Sequence, residues 1–297
     1  MSEPLIGTQI DNYYIEARLG NEENLYIGRD RQLDRTVVVR IIPHPAPPGL
    51  INRARQLANL RHTNINHLYY FAEREAFSFL VLQHIRGADL VTLLARRKAA
   101  YPAQEAGQIL APLSEALVYA HGVGVTHGSI QSSSVMIEAD TGRPVLVDFG
   151  LEPVPPAEDV YQFARLVYGM LTGRASPPQV FDPVDATSLS TPLAALLHRA
   201  LAPISPVSRK PFQDIAEFQA SLLPALEDSH AAVGSGTIVR HPHEGDHPTQ
   251  YTPPPSYAHL NAPETKQLPW LWLAGGGILV LVAIGALVMV ALMMLGN

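Results

Sequence analysis

The chain has 297 residues, 47% of them apolar, with 21 Lys and Arg against 27 Asp and Glu for a net charge of −6. That length suits one two-lobed domain plus a tail, and the mild acidity argues against a nucleic-acid-binding surface. Cysteine is absent, which excludes disulfides and thiolate metal sites and is compatible with a reducing compartment.

Residues 1–12 are polar, lack the apolar core of a secretory signal and read as an N-terminal tail. Tyr13 to Leu19, Leu25 to Arg29, Thr36 to Ile42, Leu68 to Glu73 and Ala76 to Gln83 are β-branched or aromatic runs divided by turns. They predict an antiparallel sheet. Pro48 to Leu60 predicts a helix inserted after the third run, and Pro102 to His121 and Val160 to Leu171 carry apolar residues at helical spacing. From Gly173 to Thr191 the chain is rich in Pro, Ser and Asp, before a last helical run from Pro192 to Leu201. The folded domain is expected over 13–227.

Residues 228–268 hold Pro, His and Thr with little periodic apolar pattern and predict a disordered tether. Within it His241, His243 and His247, beside Glu244 and Asp246, read as solvated side chains, because no apolar shell would order them around a metal. Residues 269–297 are expected to form a transmembrane helix. Trp270 to Leu295 is a run of 26 residues without a charge, about 39 Å long as a helix and more than a bilayer core requires. Trp270 and Trp272 suit the headgroup layer, and with Lys266 and Arg240 before the helix and no basic residue after it, the domain is expected on the cytoplasmic side.

The most informative residues lie in the middle: His127-Gly128-Ser129-Ile130-Gln131-Ser132-Ser133-Ser134, then Val147-Asp148-Phe149-Gly150. Together with Leu60-Arg61-His62-Thr63-Asn64-Ile65, Ala120-His121, Gly124-Val125-Thr126 and Asp159-Val160-Tyr161, and with five strands and one helix ahead of a helical region, this wording resembles the bacterial Ser/Thr protein kinases. The resemblance covers nearly all of the first 227 residues. It implies an α+β, two-lobed fold, a small antiparallel β lobe with one helix and a larger helical lobe, followed here by the single membrane helix.

Carried over residue by residue, the resemblance implies a catalytic centre with its polar groups replaced. The catalytic loop of the family reads H-R-D-x-K-x-x-N, and Ser129, Gln131 and Ser134 stand where Asp, Lys and Asn would be. A serine hydroxyl is no base near neutral pH and a weak ligand for a hard cation. The Gly-rich loop keeps Gly20 alone and adds Glu22 and Glu23, which would repel phosphates. Arg40 falls at the third-strand Lys, Arg53 at its helical Glu partner, and Val38 at the small residue over the purine. The two arginines are expected to repel rather than pair.

Leu57, Leu68, His127 and Phe149 match the side-chain stack that ties the lobes, and Asp159 the anchor of the catalytic loop. Asp148 is the one family metal ligand kept, as a weak Mg site or as a turn residue retained for Phe149. Only seven residues separate Gly150 from Glu158, so the platform for a substrate peptide is expected to be missing. Arg209 is left without the Glu it pairs with in the family.

The function expected from these residues is that of a membrane-anchored pseudokinase, a signalling scaffold or regulator and not an enzyme, with no cofactor. Two alternatives are a weakly active or unconventional Ser/Thr kinase relying on Arg40 and Asp148, and a switch that binds Mg-ATP without turnover. The partners expected are the membrane and proteins, either an active kinase docked on the lobes or a phosphothreonine-reading domain. Thr237, Thr249 and Thr252 in the tether are the candidate phosphoacceptors for such a reader.

Overall fold

A computed structural model describes residues 5–20, 22, 24–173, 189–201 and 212–234, with side chains as far as 229. The small lobe is a six-stranded antiparallel sheet in the order β1-β2-β3-β4-β6-β5, formed by β1 (Gln9–Ile10), β2 (Tyr13–Arg18), β3 (Leu25–Asp30), β4 (Arg35–Pro43), β5 (Leu68–Glu73) and β6 (Phe77–Gln83). Helix α1 (Leu50–Asn59) is inserted between β4 and β5. β4 lies between β3 and β6, with Val38 opposite Leu82 and Arg40 opposite Leu80. Its Val37, Val38 and Val39 are all buried, because a central strand covered on both faces is apolar on both.

The two faces of that sheet serve different cores. Ile15, Tyr26, Val37, Val39, Ile41, Phe79 and Val81 form one cluster. Ile42, Leu68 and Leu80 belong to the other, which runs through Leu50, Ala54 and Leu57 of α1 into the helical lobe. α1 buries Leu50, Arg53, Ala54 and Leu57, the spacing of one helical stripe, and the arginine within that stripe becomes important below.

After β6 come β7 (Gly87–Asp89), α2 (Leu90–Arg97), α3 (Ala103–Gly122), a 3-10 turn at Ser132–Ser134, β8 (Val135–Glu138) and β9 (Pro144–Leu146). The helices α4 (Pro156–Thr172), α5 (Thr191–Leu201) and α6 (Ile215–Gly234) follow. α3 contributes Leu110, Leu113, Leu117 and Ala120 to the helical core, where Phe218 meets Phe163 and Phe212 edge-on. Each such side chain stabilises the fold by about 1.5–3 kcal/mol on burial. The segment Leu60 to Asn66 joins the lobes: the Asn64 amide donates to Pro144 O at 2.7 Å, and the backbones of Asn64 and Asn66 pair with Leu146.

The strands and helices predicted within residues 13–201 form, shifted by a residue or two at most of their ends. The sheet begins inside the stretch read as a tail, since Gln9 and Ile10 pair with Tyr14 and Tyr13. Two residues are too few for any alternation to be read. α6 continues past residue 227 to Gly234. Among the described residues no helix is long and apolar enough to cross a membrane. The first seven residues read as tether are thus helical, whereas the expected membrane helix, residues 235–268 of the tether with its histidines and threonines, and Arg209 lie outside the described residues.

Candidate functional site

The loop from His127 to Ser134 is built around one buried carboxylate, that of Asp159. Asp159 sits in the first turn of α4, where a negative charge is favoured. It accepts hydrogen bonds from the backbone N–H groups of His127 (2.6 Å) and Gly128 (2.7 Å), and His121 Nε2 lies 2.7 Å from its Oδ2. Burial by itself would raise the Asp159 carboxyl, but the bonds from His121, Gly128 and His127 outweigh it, so the group is held below its ordinary value.

His127 is fully buried, and the loss of solvent lowers its pKa to about 4, so the ring is neutral at pH 7. Its neighbours set the tautomer. Nδ1 accepts from the N–H of Ser129 at 3.2 Å, and Nε2 faces the carbonyl of Val147 at 3.1 Å, to which it must donate. The ring lies against Phe149 with centroids 4.2 Å apart. Leu57, Leu68, Phe149, Arg40 and Asp148 line a small pocket between α1 and the sheet.

Arg40 reaches from β4 across the chain to Asp148, with Nη1 2.5 Å from Oδ1. Both side chains are about one quarter exposed. Asp148 has φ +62°, a left-handed conformation that aspartate tolerates better than most residues. Arg53 takes a different direction. It is 3% exposed, with Nε donating to Gly150 O at 2.9 Å and Nη2 to Thr126 O at 2.5 Å, and its pKa is lowered by burial, an effect the Asp159 charge opposes. The expected repulsion between the arginines therefore does not shape the site, because each has separate acceptors.

Ser134 is 1% exposed and turned into the loop: its hydroxyl donates to Gln131 O at 2.8 Å and accepts from Gln131 N at 2.9 Å. That closure keeps it from acting as a metal ligand. Ser129 and Gln131 line a cavity of about 580 Å³ between α2, the loop and α4, together with Glu158, Gln162 and Arg165. Val38 is buried in β4, and Gly20 is exposed with φ +63°. No cluster of three His, Asp or Glu among the described residues is placed to hold a metal.

Sequence reasoning missed three contacts: Arg53 on the two carbonyls, His121 on Asp159, and the Gln162 side-chain oxygen accepting from Ile130 N at 2.7 Å. Gln162 and Asp159 are neighbours in the first turns of α4, so their spacing was available as a signal. The Arg53 contacts span 73 and 97 residues and have no local signature.

Residues 35–165 match the protein kinase domain family. The chain carries a protein kinase-like domain related to the bacterial Ser/Thr kinases. It is 27% identical over 209 residues to the serine/threonine-protein kinase PknL of Mycobacterium tuberculosis, covering 58% of this chain and 52% of PknL. It is 25% identical over 259 residues to the serine/threonine-protein kinase PknB of Mycobacterium leprae, covering 69% of this chain and 41% of PknB. The chain thus spans about half the length, or less, of these relatives. In three dimensions the kinase-like domain is similar to the crystal structure of the Mycobacterium tuberculosis PknI kinase domain, with TM-score 0.60, 21% identity, and coverage of 74% of this chain and 98% of that one. At that identity the likeness speaks to the fold alone.

These relatives correct the functional expectation. They are named as Ser/Thr protein kinases, and the matched family is that of the enzyme, so the expectation of a non-enzyme does not stand. The expectation of no cofactor goes with it, since kinases of this family generally use Mg-ATP. The expectation rested on the joint replacement of several polar groups, at Ser129, Gln131, Ser134, Arg40 and Arg53. Phosphoryl transfer relies mainly on positioning and electrostatics, to which many groups contribute, so replaced side chains at these positions do not by themselves exclude it.

Proposed function

We propose that the chain is a membrane-anchored Ser/Thr protein kinase-type enzyme of low turnover in which Arg40 and Asp148 form the phosphate- and metal-binding pair. The observation that carries this reading is their 2.5 Å contact, which brings a permanent cation on β4 and the aspartate of the Asp-Phe-Gly turn together across 108 residues. The planar guanidinium fork of Arg40 suits phosphate oxygens. Only Oδ1 of Asp148 is engaged by Arg40.

Magnesium usually takes one or two protein carboxylates and completes its shell with phosphates and water, so a single aspartate fits it. An ion brought in with the nucleotide would be held by Asp148 and would neutralise charge on the phosphates. Ser129 faces the cavity beside α2 and α4 and offers a hydroxyl rather than a base. A general base contributes about 10²–10⁴-fold to such reactions. Its replacement therefore slows transfer without removing the positioning that Arg40 and Asp148 provide.

The anchor rests on the uncharged run from Trp270 to Leu295, and the cytoplasmic placement on Lys266 and Arg240 ahead of it. Thr237, Thr249 and Thr252 would be phosphoacceptors for this kinase or another, read by a phosphothreonine-binding domain. The decisive experiment gives purified full-length protein Mg-ATP labelled in the γ-phosphate. Incorporation is expected to be slow, to disappear in Asp148→Ala and to rise by about 10² or more in Ser129→Asp. Incorporation no greater than that of Asp148→Ala, in both the native chain and Ser129→Asp, overturns the proposal.

A further inference from the structure

Arg53 is a cation in the buried stripe of α1, where helices of this kind place apolar residues. Burying a guanidinium is costly unless its donors are met. Two of its nitrogens are bonded to backbone carbonyls, of Gly150 and Thr126, while Nη1 is buried with no partner. The two carbonyls belong to the segments that matter most for the site. Thr126 precedes His127, and Gly150 follows Asp148 and Phe149. The same segments are bonded to each other by Gly150 N donating to His127 O at 2.8 Å, and Asp159 holds the first of them from below through His127 N and Gly128 N.

A planar fork with rigidly placed donors fixes two acceptors relative to each other, which a flexible ammonium cannot do. α1 has no other side-chain hydrogen bond to these segments among the described contacts. We propose that Arg53 is a positioning residue: it clamps the Thr126 and Gly150 carbonyls to α1, and so sets where Asp148 stands relative to Arg40. The nucleotide part of this inference rests on the kinase reading, whereas the clamp itself does not.

The test uses the full-length chain without nucleotide and follows amide hydrogen exchange at His127, Gly128 and Gly150, whose N–H groups all have protein acceptors. Arg53→Met keeps an unbranched apolar stem in the helical stripe and removes the donors. Exchange at the three amides is expected to accelerate roughly tenfold or more through local opening. Ala54→Gly, which weakens the same helix without touching the carbonyls, is expected to leave those amides no faster than the rest of the core. Should Arg53→Met fail to fold, Arg53→Gln carries the test: its shorter side chain ends in one nitrogen where Arg53 uses two, Nε and Nη2, so protection is expected to fall in at least one of the two segments. Native exchange at all three amides in Arg53→Gln, or an Arg53→Met profile identical to that of Ala54→Gly, overturns the clamp.

Binding of a fluorescent ATP analogue with Mg is then compared at a temperature where all variants are folded, and roughly tenfold weaker binding is expected in Arg53→Met. Faster exchange with unchanged binding refutes positioning. Faster exchange in a chain whose native form binds no nucleotide leaves the clamp standing and removes the kinase reading instead.

Discussion

Two serines five residues apart in one loop, Ser129 and Ser134, have different roles. Ser134 closes the loop on Gln131 and is lost to solvent, whereas Ser129 is left facing a cavity. Substitution at Ser129 can therefore alter chemistry, while substitution at Ser134 must disturb the loop. His127 carries a second prediction at this scale. Its folded pKa of about 4 lies below the ordinary 6.5, so between those values the unfolded chain binds a proton that the folded chain refuses. Stability therefore rises with pH across that window and is lost as pH falls through it. His62 and His84, also lowered by burial, act with the same sign. Unfolding free energies from urea titrations at about pH 7.5 and about pH 5 should differ by roughly 2 kcal/mol on account of His127. His127→Gln should flatten that slope, and an unchanged slope in that variant would show that the ring titrates normally.

At the scale of elements, the small sheet β7-β8-β9 depends on a close backbone approach. A Cβ on Gly87 would lie 1.9 Å from the carbonyl oxygen of Ile137, the residue before its register partner Glu138 on β8, so the strands cannot pair with a side chain there. Gly87→Ala is expected to lower stability by about 1–3 kcal/mol or more in urea titration, without shifting β-sheet content in the small lobe. The strands of this sheet were not legible in the sequence because they are three or four residues long. Helix α2 is short as well, but the Asp89 side chain caps it by accepting from Thr92 N at 2.7 Å. That signal was present and passed over. The longer runs, from β4 to α3, were legible because their apolar period repeats often enough to outweigh local preference.

For the molecule as a whole, the kinase-like domain and the C-terminal apolar run can be separated by experiment. Truncation after residue 268 is expected to move the protein from the membrane fraction to the soluble fraction, while the full chain should resist alkaline extraction. A full chain recovered in the soluble fraction would remove the anchor from the proposed function.

Sequence alone determined the two-lobed plan and the loop anchored by Asp159, since each is a local pattern of period, turn or motif. The three-dimensional arrangement alone decided where the two arginines point. Arg40 and Arg53 are 13 positions apart, yet one finds a carboxylate and the other two carbonyls, all of them 73 to 108 residues away in the chain. A buried cation takes whichever acceptors the packed backbone leaves within reach, and that choice exists only once the lobes have closed on each other.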